Sequence, residues 1–112
     1  MKYELTKNSK RLLKALYGHY KKQRKKFNNE FTCRYMGNSV NIQKNIFPQY
    51  TLEDIENMCQ ELHRADFIKA RYADDMPKDI YLSDKSIILF ENRIKKLFKD
   101  FTNFILKIKN IF

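Results

Sequence analysis

Residues 51–86 read TLEDIENMCQELHRADFIKARYADDMPKDIYLSDKS, which parses as a helix, a strand, a polar turn and a second strand. Thr51 is placed to cap the helix, and Asp54 three residues on makes an approximate capping box. Leu52, Ile55, Met58, Cys59 and Leu62 recur at helical spacing and give that helix one apolar face. Phe67, Ile68 and Tyr72 mark a short β segment whose alternation is broken by charges. Ala73 to Asp79 carries the residues that turns favour, and Ile80, Tyr81 and Leu82 resume a strand. Ser83 or Asp84 then caps a further helix.

Upstream, residues 8–26 (NSKRLLKALYGHYKKQRKK) predict a first helix. Asn8 or Ser9 caps it, and Leu12, Leu13, Leu16, Tyr17 and Tyr20 form its buried stripe. Its exterior is strongly basic, with Lys10, Arg11, Lys14, Lys21, Lys22, Arg24, Lys25 and Lys26. Such a run is either a solvated helix face or a surface that neutralises phosphates without reading bases. Between Phe27 and Gly37 the pattern is mixed: Phe31, Cys33 and Tyr35 alternate with Thr32 and Arg34. A short strand, an irregular connection or a continued helix all fit. Ser39 to Phe47 is the expected second helix, anchored by Val40, Ile42, Ile46 and Phe47 and ended by Pro48. Helix, turn and helix in this order fit a helix-turn-helix core.

Downstream, Ile87, Phe90, Ile94, Leu97, Phe101, Phe104, Ile108 and Ile111 alternate three and four apart, the a/d pattern of a heptad. A helix over residues 87–112 extends about 39 Å at 1.5 Å per residue, more than a small core covers, so its stripe calls for a partner helix. A Phe-rich, Lys-dotted helix lying on an anionic membrane is the other reading, which the strict spacing disfavours.

A length of 112 residues suits one domain with one modest core, and 43% hydrophobic residues suffice to build it. The net charge of +10 is unevenly spread. Residues 1–50 hold twelve basic against two acidic groups, residues 51–86 five against nine, and residues 87–112 six against two. An acidic middle thus sits between basic ends, and the basic total points to polyanionic partners such as nucleic acid or an anionic membrane without saying which surface meets them. Met1 to Ser9 lacks the apolar centre of a signal peptide, and no apolar run approaches the roughly 20 residues that span a bilayer. With Cys33 and Cys59 the only cysteines, a cytoplasmic location is expected.

Catalytic and metal chemistry find little footing. Cys59 and His63 lie four apart on one helix, but two ligands do not make a site. Asp74, Asp75 and Asp79 lack the spacing and glycine of a calcium loop. No phosphate loop, nucleophile elbow or acid–base constellation is visible, so no enzyme, cofactor or metal is expected.

Taken together, residues 8–112 resemble bacterial winged-helix proteins with a long C-terminal helix, broadly of the MarR and PadR type. They also resemble small winged-helix proteins of Gram-positive bacteria, their phages and mobile elements. The tract ELHRADFIKARYADDMPKDIYLSDKSI (residues 61–87) carries most of the likeness, which rests on element order. The resemblance implies a mostly helical α+β fold, with a winged helix-turn-helix and two-stranded wing over residues 1–86 and a dimerisation helix over 87–112. It implies a homodimeric transcription regulator bound to double-stranded DNA. On that reading phosphates meet Lys10, Arg11, Lys14, Lys44, Arg71 and Lys78, while Asn41, Gln43, Tyr50, Thr51 and Asn57 lie nearest to bases. The eight heptad residues, from Ile87 to Ile111, form the dimer interface.

The departure from the family lies in the helix that should enter the major groove. It displays Glu53, Asp54, Glu56 and Glu61, which repel phosphates. The alternative is therefore a protein-interaction module on the same fold, its acidic helix face meeting a basic partner.

Overall fold

The computed structural model describes residues 5–74, 76–93, 95 and 96. Its architecture is α+β, with helices packed on one face of a three-stranded antiparallel sheet. The elements are α1 (Lys7–Lys26), α2 (Glu30–Arg34), β1 (Tyr35–Gly37), α3 (Ser39–Asn41), α4 (Leu52–Arg64), β2 (Ile68–Ala73) and β3 (Met76–Leu82). A π-helical segment, Ile42–Ile46, continues α3, and its wide turn closes with Phe47 N–H donating to Ile42 C=O at 2.8 Å.

Helix α1 starts one residue earlier than its sequence suggests and takes a different cap. Thr6 occupies the cap position and its Oγ accepts from Ser9 N–H at 3.3 Å. Ser9, expected as a cap, is fully buried. The stripe Leu12, Leu13, Leu16, Tyr17 and Tyr20 faces the core as its spacing requires. The chain then breaks at Phe27, and Asn29 restarts it by accepting Thr32 N–H at 3.1 Å, which resolves the ambiguous stretch into α2 followed by β1.

Gly37 ends β1 with φ +77°, and a Cβ there would lie 3.0 Å from the Asn41 amide. Only glycine fits that corner without strain. Helix α4 matches its sequence closely. Thr51 Oγ accepts Asp54 N–H at 3.2 Å, and Ile55, Met58, Cys59 and Leu62 are buried. It ends with Phe67 N–H donating to Leu62 C=O, and Asp66 takes the left-handed position at φ 64°.

The sheet order is β1-β3-β2, so the expected two-stranded wing is joined by a third strand. The turn is also much shorter than Ala73–Asp79. Ala73 pairs with Met76, so only positions 74 and 75 lie between the strands. Asp74 has φ 53°, the left-handed geometry that tight hairpins need and Asp tolerates. Between the Lys69–Tyr81 and Arg71–Lys78 pairs β3 carries one extra residue, and Asp79 at φ 49° absorbs this bulge. Pro77 lies beyond the reach of β1, where β3 has one neighbour and a missing N–H is tolerated.

Residues 84–93 are helical. Ser83 caps them, accepting Ser86 N–H at 3.4 Å, while Ser83 Oγ and Ser86 Oγ donate to the carbonyls of Asp66 and Phe67. Ile87 and Phe90, expected on a dimer seam, are buried in the chain's own core, 4% and 8% exposed. The Phe90 ring stacks on Tyr17 at 4.5 Å. An aromatic already covered by α1 has little surface left for a second copy. The remaining heptad residues, Ile94, Leu97, Phe101, Phe104, Ile108 and Ile111, lie outside the residues whose side chains are described.

Candidate nucleic-acid interface

Two surfaces merit a site description, and they lie on different parts of the fold. The first is built from α1, the turn into α4 and the first half of α4. Lys10, Arg11 and Lys14 project from α1 and are exposed, as is Lys44 beyond α3. A groove of about 300 Å³ separates α1 from α4, lined by Thr6, Asn8, Asp54, Asn57, Met58 and Glu61.

Most of the residues expected nearest to bases have their polar atoms engaged within the fold. Asn41 Nδ2 donates to Met36 C=O at 2.7 Å, and its Oδ1 accepts from Asn45 Nδ2 at 2.7 Å. Gln43 Nε2 donates to Tyr50 C=O at 3.1 Å. Tyr50 donates its hydroxyl to Asn8 Oδ1 at 2.8 Å and stacks on Phe47. Thr51 caps α4. Asn57 differs: it is exposed on the groove wall. Arg71 and Lys78 lie on the β2–β3 hairpin. Arg71 pairs with Asp79 at 3.0 Å, and Lys78 is half-buried in register with Arg71.

The acids of α4 separate into two kinds. Glu53 and Asp54 are exposed in the first turn, where negative charge stabilises a helix through its N-terminal dipole by about 0.3–1 kcal/mol each. Glu61 is not part of a free acidic face. Its carboxylate accepts Thr6 N–H at 2.6 Å, Thr6 Oγ at 3.0 Å and Ser9 Oγ at 2.6 Å, fastening the start of α1 to α4. Burial pushes its carboxyl up, but the bonds from Ser9 and Thr6 outweigh this and hold it below the ordinary glutamate range. Spacing along one helix cannot reveal such a partner 52 residues away.

The second surface is the outer face of the sheet. Ile68 and Leu82 pair across the inner face and are buried, so the neighbouring row Tyr35, Tyr81 and Lys69 faces outward. Phe31 stacks on Tyr81 at 4.8 Å, and Tyr35 meets Tyr81 at 5.0 Å. These rings stay open to solvent: Phe31 is 66% and Tyr35 42% exposed. Phe27, at the end of α1, is 52% exposed. The i, i+4, i+8 spacing of Phe27, Phe31 and Tyr35 was present in the sequence, but helical periodicity alone does not say which face is buried.

A groove of about 370 Å³ lies between α1, α2 and the helix after Ser83, its wall including Glu30, next in sequence to Phe31. Tyr17 and Tyr20 line it together with Lys21, Arg24, Lys25, Glu30 and Glu91. Arg34 binds Glu30 at 2.7 Å and also Asp84, tying α2 to the helix after Ser83.

Metal and thiol chemistry gain no support. Cys33 and Cys59 are both buried as free thiols, and burial, with nearby Glu56, pushes the Cys59 thiol up to about 12. Among the described residues no group of three potential metal ligands converges, and His63 packs against Tyr72 at 5.2 Å. No helix among them is long and apolar enough to cross a membrane. Compared with family models, curated proteins and solved structures, the chain matches none.

Proposed function

We propose that this chain is a winged helix-turn-helix regulator of transcription that binds double-stranded DNA as a homodimer. The observation that supports it best is the joint occurrence of one topology and one charged face. Two helices, a strand, α3 with its π-helical extension, α4 and a hairpin follow in order with β1 closing on β3, and the exposed Lys10, Arg11 and Lys14 sit on the helix packed against α4. On this reading α3 with its π-helical extension and α4 form the helix-turn-helix, and the β2–β3 hairpin is the wing. Phosphate contact is carried by α1 and Lys44, and Asn57 is the one expected base reader whose amide faces the groove.

A second reading rests on a separate observation. Glu53, Asp54 and Glu56 have no salt bridge among the described residues, and Glu53 and Asp54 are exposed. A basic protein partner seated on α4 would use them.

One experiment separates the two. Full-length protein is titrated into labelled duplexes tiled from its own upstream region, with random duplex as control, between 50 and 200 mM salt. The regulator reading expects one tile to bind far more tightly than random DNA, with log affinity falling by about 0.9 per log salt for each phosphate neutralised. Lys10→Ala with Arg11→Ala then weakens all duplexes alike, whereas Asn57→Ala narrows the gap between tile and random DNA. Glu53→Lys with Glu56→Lys strengthens duplex binding if α4 lies at the DNA. Failure of every duplex to bind at 50 mM salt overturns the regulator reading and leaves the acidic-face reading.

A further inference from the structure

The outer sheet face carries a feature that a duplex-binding winged helix has no use for, an open aromatic stack. Exposed rings do stabilise a sheet edge through cross-strand contact, by about 0.5–1.5 kcal/mol per aromatic pair. That accounts for Tyr35 against Tyr81. It does not account for Phe31, which lies on top of the pair with 66% of its surface still in water.

We propose that Phe31, Tyr35 and Tyr81 form a stacking platform for the bases of single-stranded nucleic acid, with the end of α1 holding the backbone. The occupant follows from charge and shape together. Lys21, Lys22, Arg24, Lys25 and Lys26 are all exposed, and no acid interrupts them within that run. Of these, Lys21, Arg24 and Lys25 line the groove between α1 and α2, together with Glu91 and with Glu30, the residue next to Phe31. A strand whose backbone is held by these cations has the Phe31 ring within one residue of the groove wall at Glu30.

The acids around the platform are neutralised in place. Arg34 holds Glu30 and Asp84, and Arg71 holds Asp79, which also accepts from the Tyr35 hydroxyl at 3.2 Å. Lys69, exposed and in register with Tyr81, adds one cation at the far rim. Open π-faces beside a cationic track suit single strands, whose unpaired bases stack without regard to sequence. A duplex hides its base faces and gains nothing from Phe31. An apolar protein partner would not select the exposed cations at the end of α1.

The test uses the full chain with fluorescein-labelled dT15 and rU15, read by anisotropy at 50 mM salt. Both or either should bind, the tighter one identifying the kind of strand. Affinity should fall by about 0.7 per log salt for each phosphate neutralised. Phe31→Ala should weaken binding by roughly 5- to 100-fold with the salt slope unchanged. Lys25→Ala with Lys26→Ala should instead flatten the slope. Phe31→Leu, which keeps the apolar contact without the ring face, should behave like Phe31→Ala. Circular dichroism verifies that each variant is folded. The proposal is overturned by a folded Phe31→Ala protein that binds as the wild type does, or by wild-type protein that binds neither strand. It also fails if Phe31→Ala lowers only the sedimenting mass and leaves oligonucleotide affinity intact, because the face would then belong to a second copy.

Discussion

At the scale of single residues, Glu61 shows how one side chain serves two distant elements. Its three bonds to Thr6 and Ser9 join the C-terminal half of α4 to the first turn of α1. Bonds to a charged acceptor contribute about 1.5–3 kcal/mol each before exposure is considered, and this carboxylate is partly open to water. Glu61→Ala should therefore cost about 1–2 kcal/mol, seen as a lower urea midpoint with unchanged m-value. Glu61→Gln, which keeps one acceptor, should cost less. The pH dependence has a definite sign. The folded carboxyl titrates below its ordinary value of 4.5, so its contribution is fully present above that pH and is lost as pH falls through the folded value. The gap between wild type and Glu61→Gln should close over that acidic window. Glu30 and Asp84 are also held low, by hydrogen bonds and charge from Arg34, so the difference between the two proteins is the quantity to follow.

At the scale of elements, α1 illustrates where spacing suffices and where it does not. Its buried stripe was legible because a 3.6-residue period leaves one face apolar. Its cap was not, because Thr6, Asn8 and Ser9 are all good capping residues and only tertiary packing, through Glu61 and the burial of Ser9, selects Thr6. Gly18 sits mid-helix on the exposed side, with nothing within 4 Å of an added Cβ. Gly18→Ala should stabilise the protein by about 0.5–1 kcal/mol, raising Tm by several degrees. A fall in Tm would mean that this face of α1 is covered in the working assembly. The hairpin gives the opposite lesson. Seven turn-forming residues in a row suggested a broad turn, yet Met76 to Asp79 extend β3, because ladder pairing and a bulge at Asp79 overrode local preference.

At the scale of the whole molecule, the C-terminal heptad spacing bears on the proposed homodimer. The heptad spacing begins at Ile87, but Ile87 and Phe90 belong to the core that α1 closes. Any coiled pairing therefore starts after Phe90, among residues that enter on sequence spacing alone. Leu97→Asp should convert a dimer to a monomer or an aggregate, measured by light scattering on a sizing column; an unchanged dimer would overturn the heptad seam as the interface, and a monomeric wild type would remove the homodimer from the proposed regulator. The sequence by itself determined the α+β order, the apolar faces of α1 and α4, the Thr51 cap and the basic ends, because local periodicity and charge are properties of neighbouring residues. Only the tertiary structure decided that β1 joins the hairpin, that Glu61 anchors α1, that Asn41, Gln43 and Tyr50 serve the fold, and that Phe31, Tyr35 and Tyr81 meet on an open face. The strand pairing, the Glu61 anchor, the Tyr50–Asn8 bond and the aromatic cluster join residues distant in sequence, while the Asn41 and Gln43 bonds follow from the path of the backbone around the helix ends, and residue spacing encodes neither.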